Sequence, residues 1–249
     1  MDNLEKPLIS IITVVFNGVN TLEDTIISVI NQSYKNIEYI IIDGGSTDGT
    51  VDLIRKYESQ ISYWISKPDG GIYDAMNKGI DKSSGVLIGI INADDWYESN
   101  AIEKIVNNYL KEPDIDVFHG MIRYINNNNI VSAIIGFNSI TLEEKMIQHP
   151  SCFVNKKVYD SFGKYNLKYR YAADYEFMLK IYGNKVKFYF IEEIIANFRE
   201  GGASYSIKAY KEDYTIKFKY GKISIYRYSF LIIFSSFKMF YLKIKKIFF

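Results

Sequence analysis

Four segments of this 249-residue chain place carboxylates where they can do chemistry. Asn92-Ala93-Asp94-Asp95 follows an apolar run. Neighbouring carboxylates at a strand end repel and are costly to desolvate, so they need water, hydrogen-bond donors or a cation. Mg²⁺ or Mn²⁺ satisfies such a pair through one or two carboxylates plus substrate phosphates, and so does capping of the helix that follows. Asp43-Gly44-Gly45-Ser46-Thr47-Asp48-Gly49-Thr50 joins an acid able to accept from a nucleobase N–H or ribose hydroxyl to glycines that let backbone approach a ligand. The same residues equally make a tight strand-to-helix turn capped by Ser46 or Thr47. The segment from Lys67 to Gly79 (KPDGGIYDAMNKG) opens a helix with a glycine pair, an amide-rich N-terminus suited to an anion. Lys78 adds a point charge there for a phosphate. Asp174 and Glu176 lie two apart and so on different faces of a helix. One acid can enter a cleft while the other stays in solvent, or both can stabilise the helix dipole. His149, ahead of Pro150, reads on its own as structural.

Positioning these groups requires a particular order of elements. Residues 8–15 (LISIITVV) form a β-branched apolar run that stops at Phe16-Asn17-Gly18, as a strand buried on both faces does. Thr21 then precedes Leu22, Ile26, Val29 and Ile30 at helical spacing, with Thr21 in the N-cap position. Strands are predicted at 37–42, 61–65 and 86–91, and helices at 51–57, 72–80 and 100–110. Ser46, Thr47 or Asp48 is available to cap the second helix. Strands alternating with helices imply right-handed βαβ units and a mainly parallel sheet. Ligands of such sheets sit beyond the carboxyl ends of the strands, and three of the four strands end there in polar or acidic clusters. Past residue 115 the pattern changes to a hairpin (117–124 and 130–135, around Asn126 to Asn129). Helices at 143–147 and 172–182 and strands at 186–190 and 194–198 follow.

Composition narrows the class. At 48% hydrophobic and 24% charged the chain reads as globular, with a single core at this length. The absence of GxGxxG and GxxxxGK[ST] weakens reductase and kinase readings. Cys152 is the single cysteine, so there is no intrachain disulfide or Cys-based zinc site, which suits a reducing compartment. Asp2 and Glu5 precede the first apolar run where a signal peptide would carry basic residues. The net charge of +1 averages two unlike parts. From Tyr214 to Phe249 there are eight basic residues (Lys217, Lys219, Lys222, Arg227, Lys238, Lys243, Lys245, Lys246) and no acidic one, leaving 22 basic against 29 acidic residues, a net −7, in the first 213. Within that tail Phe230, Phe234, Phe237, Tyr241, Ile244 and Phe248 recur at steps of three and four. Its longest uncharged run, Tyr228 to Phe237, is ten residues, short of the roughly 20 a spanning helix needs. The tail suits a basic amphipathic helix on an anionic membrane face, or a helix packing its aromatics on the preceding domain.

Taken together, VVFN, DGGSTDGT, SKPDGGIYDAMNKGI, GVLIGIINADDWY, HPSCFV and AADYEFMLKI resemble the inverting glycosyltransferases of family 2. They are most similar to the bacterial surface-polysaccharide and lipopolysaccharide enzymes of that family, over about residues 8–200. The resemblance implies a GT-A fold: a Rossmann-like α/β architecture with a mainly parallel mixed sheet flanked by helices, here followed by the amphipathic helical tail. It implies a domain at 1–213, with a nucleotide-sugar half to about residue 98 and an acceptor half from 99, and a membrane-associating tail at 214–249. It further implies a nucleotide-sugar donor, a UDP-sugar first among them, and Mg²⁺ or Mn²⁺. By the same resemblance Asp43 contacts the nucleoside base, with Asp69 closing that pocket. Asp94 and Asp95 bind metal and ribose, with Asp94 favoured as the metal ligand. Asp174 is the catalytic base, and His149 lies near donor phosphate or acceptor. Asn92 departs from the family, where many members have the first acid of the metal motif.

The mechanism so implied is direct displacement. Asp174 takes the proton of an acceptor hydroxyl as that oxygen attacks the anomeric carbon opposite the nucleotide, and configuration inverts. The acceptor is expected to be a glycan or lipid-linked glycan, with no nucleic-acid partner, and the enzyme to lie on the cytoplasmic face of the cell membrane. Two other functions compete. A sugar nucleotidyltransferase would need a Gly-rich basic loop after the first strand, where Phe16-Asn17-Gly18-Val19-Asn20 stands instead. A non-catalytic subunit of a polysaccharide assembly complex would have no use for Asp43, Asp94, Asp95 and Asp174 together.

Overall fold

Every residue of the first strand, β1 (Ile9–Val15), is buried, as its unbroken apolar run requires of a strand covered on both faces. The computed structural model describes residues 6–126, 128–201 and 206–248, with side chains described as far as residue 236. Asp2, Glu5, Asn127 and the tail side chains Phe237, Lys238, Tyr241, Lys243, Ile244, Lys245, Lys246 and Phe248 lie outside that description. After β1 come α1 (Leu22–Ile30), β2 (Ile37–Asp43), α2 (Thr50–Lys56), β3 (Tyr63–Ser66), α3 (Ile72–Lys82) and β4 (Leu87–Asn92). Then β5 (Trp96–Tyr97), α4 (Ala101–Lys111), β6 (Val117–Ile125), β7 (Val131–Ile135), β8 (Phe153–Asn155) and α5 (Lys156–Phe162) follow. The chain continues through α6 (Ala173–Gly183), β9 (Phe188–Arg199), α7 (Ile207–Lys219) and α8 (Ile225–Phe248).

The described strands form one sheet in the order β3-β2-β1-β4-β8-β6-β9-β5, with β7 beside β6. Its first four strands are mutually parallel. From β8 onward antiparallel pairs enter, with β6 and β9 parallel. Alternation within the parallel strands divides the core in two. Ile12, Val14, Ile40, Ile42, Ile88 and Ile90 face α3 and α6, while Ile9, Ile11, Ile41, Leu87 and Ile91 face α1 and α4. Period-two side-chain direction makes both faces apolar, which is why the sequence shows runs rather than alternation. At Gly79 of α3 a Cβ would stand 2.5 Å from Ile12 Cγ2, so glycine sets how closely α3 lies on β1.

Several local expectations change. Thr21 makes no side-chain cap to α1. Before α2, Gly49 is left-handed (φ 101°), and it is Asp48 whose Oδ1 accepts from Thr50 N–H at 3.0 Å. The helix expected at 143–147 is a 3₁₀ turn at Ser139–Glu143, started early because Asn138 Oδ1 accepts from Ile140 N–H. A second 3₁₀ turn, His149–Ser151, carries Pro150 in its first positions. The two late strands are a single β9, paired along all of β6, with register shifts that absorb the exposed Glu192-Glu193 pair. The tail is helical, but α7 runs across position 213/214 and its Ile216 is fully buried in the core that holds α6.

Candidate active site

Parallel register puts the three polar strand ends on one edge. Val15 of β1 lies opposite Asp43 of β2, and Val14 lies opposite Asn92 of β4. The loops leaving this edge, with α3 and the start of α6, enclose a cleft of about 970 Å³. Asp69, Asp94, His149 and Asp174 all line it, together with Gly44, Asn92, Arg170 and Tyr171. Residues separated by more than 100 positions thus meet in one cavity. Asp43, Lys78 and Asp95 do not line it.

Asp43 is 1% exposed and its carboxylate is committed to its own turn. Oδ2 accepts from Gly45 N–H at 3.1 Å, Ser46 N–H at 3.0 Å and the Ser66 hydroxyl at 2.5 Å, while Oδ1 accepts from the Ser46 hydroxyl. A buried carboxylate needs such donors. These four donors hold the Gly44–Ser46 turn in shape beside the cleft. It is Gly44 that faces the cleft, where a Cβ would come within 2.9 Å of Asp69 Oδ2. Asp69 Oδ1 accepts from Gly71 N–H at 2.8 Å, tying this wall to the start of α3. Lys78 Nζ lies 2.9 Å from Asp74 Oδ2, one turn back along α3.

The neighbouring acids after β4 divide their work. Asp94 presents to the cleft, whereas Asp95 is fully buried and its Oδ1 accepts from Arg199 N–H at 3.0 Å. Arg199, at the end of β9, also donates from Nε to the Asp94 carbonyl (3.3 Å) and from its guanidinium to Asp24 (3.3 Å). Burial raises the Asp94 carboxyl above its usual range. Burial, and next the Asp94 charge, push Asp95 well above it. Asn92 Oδ1 and Asp95 Oδ2 are buried without a hydrogen-bond partner among the described residues. A half-buried carboxylate that lines the cleft, beside orphaned buried oxygens, is an all-oxygen donor set that fits a hard divalent cation. Among the described residues no group of three or more His, Cys, Asp or Glu gathers as a metal centre. The protein's share of such a site is thus one or two carboxylates, with Asp94 facing the cleft and Asp95 behind it.

Asp174 reaches the same cleft from the first turn of α6, and the Tyr73 hydroxyl donates to its Oδ1 at 2.7 Å. Burial, then the Asp174 charge, hold the Tyr73 phenol well above its usual range, so it stays a donor. His149 Nε2 lies 3.0 Å from the Tyr165 hydroxyl, and burial lowers its pKa against the opposing pull of Asp174. Glu176 faces away into the core, where its Oε1 accepts from the Tyr220 hydroxyl at 2.7 Å. Cys152 is buried, and burial pushes its thiol up, which removes it as a nucleophile. Sequence reasoning missed Tyr73, Arg199 and Glu212 as parts of the site. Tyr73 and Arg199 hydrogen-bond acids far along the chain, and Glu212 the backbone amides of 170–172, so no local spacing marks them.

A family model described as Glycosyl transferase family 2 matches residues 10–234. The chain belongs to glycosyl transferase family 2. Among relatives of this family 2 protein, an uncharacterized glycosyltransferase of Mycobacterium tuberculosis is 33% identical over 182 residues, 70% of this chain and 68% of the relative. A PGL/p-HBAD biosynthesis glycosyltransferase of Mycobacterium bovis is 27% identical over 210 residues, 82% of each chain. Among solved structures, S. aureus TarS 1-349 in complex with UDP superposes with a TM-score of 0.67 at 15% identity, covering 84% of this chain and 64% of TarS. This family 2 chain therefore spans less than two thirds of that neighbour. The mannosyltransferase PcManGT of Pyrobaculum calidifontis, in complex with GDP-Man and Mn2+, gives 0.70 at 14% identity over 90% of this chain and 66% of its own. The protein is a glycosyltransferase with the GT-A fold.

Proposed function

We propose that this glycosyltransferase moves a sugar, with inversion, from a nucleotide-sugar donor to a hydroxyl of a glycan or lipid-linked glycan acceptor in surface-polysaccharide synthesis. One observation carries the reading: Asp174, held by the Tyr73 hydroxyl, and Asp94 line a single cleft. Asp174 accepts the acceptor O–H proton while that oxygen forms the new bond to the anomeric carbon. The bond from that carbon to the diphosphate oxygen breaks, and the nucleotide leaves with the electron pair. Tyr73 holds the Asp174 carboxylate in place as the proton transfers. Asp69, fixed by Gly71 N–H, and the glycine-rich wall at Gly44 leave room for the nucleotide. Asp94 would hold Mg²⁺ or Mn²⁺, which would supply charge neutralisation for a departing diphosphate. The neighbours' UDP and GDP-Man support this donor class, with a UDP-sugar first.

Transfer from a panel of UDP-, GDP-, dTDP- and CMP-sugars, with Mn²⁺ or Mg²⁺, tests the reading. Asp174→Asn is expected to lower turnover by about 10²–10⁴-fold while nucleotide affinity holds. Near-wild-type turnover by that variant would refute the base assignment.

We further propose that α8 docks on an anionic, cytoplasmic membrane face. Among the described residues no helix is long and apolar enough to cross a membrane, yet Tyr226, Phe230, Ile233 and Phe234 of α8 are exposed. The excess of basic residues in the tail supports an anionic surface. The full chain with Phe230→Asp and Phe234→Asp is expected to lose flotation with phosphatidylglycerol vesicles, and unchanged flotation excludes docking through this face.

A further inference from the structure

The segment that delivers Asp174 has no cap of its own. The residue before α6 is Ala172, with φ −140° and ψ 28° and no side chain able to accept a hydrogen bond. Backbone N–H groups leading into a helix lie outside its i→i−4 ladder and need partners of their own. Here they are met from a distant part of the chain. Glu212, on α7, accepts from Arg170 N–H with Oε1 at 2.9 Å, and from Tyr171 N–H at 2.7 Å and Ala172 N–H at 3.1 Å with Oε2. Three consecutive amides converge on one carboxylate, a charge-assisted arrangement at the positive end of a helix.

Helix α7 is itself anchored. Ser206 Oγ accepts from Ala209 N–H at 3.1 Å, Ile216 is fully buried, and the Tyr220 hydroxyl donates to Glu176 on α6. Thus α7 grips the chain on both sides of Asp174, at 170–172 and at Glu176. The segment it holds also supplies Arg170 and Tyr171 to the cleft wall.

We infer that Glu212 is a positioning residue for sugar transfer: its carboxylate fixes the 170–172 backbone and thereby the placement of the Asp174 carboxylate. The inference rests on the reading of Asp174 as base. Glu212 does not line the cleft, so it acts through the backbone. A misplacement of about 1 Å at a catalytic group can cost on the order of 10²-fold in rate, and this sets the upper end of the expected effect.

The test uses the full chain and whichever nucleotide sugar of the UDP, GDP, dTDP and CMP panel the wild type hydrolyses fastest with Mn²⁺. Glu212→Ala is expected to lower turnover at saturating donor by about 10- to 100-fold, with the Kd for the free nucleotide within about twofold. Glu212→Gln keeps one oxygen able to serve Tyr171 and Ala172, and is expected to recover several-fold over Ala. Independently of activity, amide exchange in a peptide spanning 168–173 should gain up to three fast sites in Glu212→Ala and none in Asp174→Asn. Turnover within twofold of wild type in Glu212→Ala, unchanged exchange at 168–173, or a Gln variant no better than Ala would each overturn the inference. Turnover retained by Asp174→Asn would instead sink the base assignment, a result the Glu212 variants cannot produce.

Discussion

Asp43 offers a sharp test, because an acid of the nucleotide pocket and an acid of the turn predict opposite phenotypes. The carboxylate is 1% exposed and accepts from two backbone amides, at Gly45 and Ser46, and from the hydroxyls of Ser46 and Ser66. Asp43→Ala strands four donors on the edge that carries the cleft. Hydrogen bonds to a charged acceptor contribute about 1.5–3 kcal/mol each and are not additive. Water entering the vacated space recovers part, so a loss of about 3–5 kcal/mol is expected, in the range for breaking a buried polar network. For a chain of this length that corresponds to a fall of roughly 6–20 °C in Tm. Asp43→Asn is milder. Its single oxygen can take the place of Oδ2 and keep three donors, while its amide meets Ser46 Oγ acting as acceptor, at a cost of about 1–2 kcal/mol. Urea denaturation gives the stabilities, and calorimetric titration with UDP, corrected for the folded fraction, gives affinity within about threefold of wild type for Asn. Should Asp43→Asn keep its stability within about 0.5 kcal/mol yet lose nucleotide binding, the turn-shaping argument fails and the base-contact role stands.

Other expectations follow from single contacts. Tyr73→Phe removes the 2.7 Å donor to Asp174 and should lower kcat by about tenfold with donor KM unchanged; a KM effect alone would place Tyr73 in donor binding. His119 is fully buried between Phe188 and Phe190, with both ring nitrogens unpartnered among the described residues, and burial pushes its pKa down to about 4. Because the folded value lies below the unfolded one, protonation favours unfolding: stability is full above about pH 6.5 and falls as pH drops toward 4. Between pH 7 and 5 wild type should lose about 2 kcal/mol that His119→Phe keeps, and parallel urea midpoints in the two proteins would exclude a buried neutral imidazole. Gly79→Ala puts a Cβ 2.5 Å from Ile12 Cγ2 and should cost about 1–3 kcal/mol by forcing α3 off β1, whereas a neutral result in thermal melts would show that this contact yields freely.

The order of the first half was legible in the sequence because its central strands, β1 and β4, are buried on both faces. Runs such as Ile9 to Val15 and Leu87 to Ile91 cannot be half-exposed elements, and the polar residues that stop them mark the strand ends. The acids at those ends were legible too, since Asp69, Asp94 and Asp174 do reach one cleft. Legibility failed where a partner lay far away. The 3₁₀ turn at Ser139–Glu143 and the single long β9 depend on Asn138 and on the β6 edge, neither of which shows in local periodicity.

By itself, then, the sequence determined the parallel βαβ half, the edge on which chemistry gathers and the acids available there, because burial and turn formation are read from neighbours. Tertiary structure alone decided what each acid is free to do. Asp43 points into a ring of donors, Asp95 is sealed behind Arg199 while Asp94 meets the cleft, and Lys78 is held by Asp74. Asp174 lies under Tyr73 at the end of a segment gripped by Glu212. A carboxylate's role is set by the donors and solvent around it, and those arrive from elements that only folding brings together.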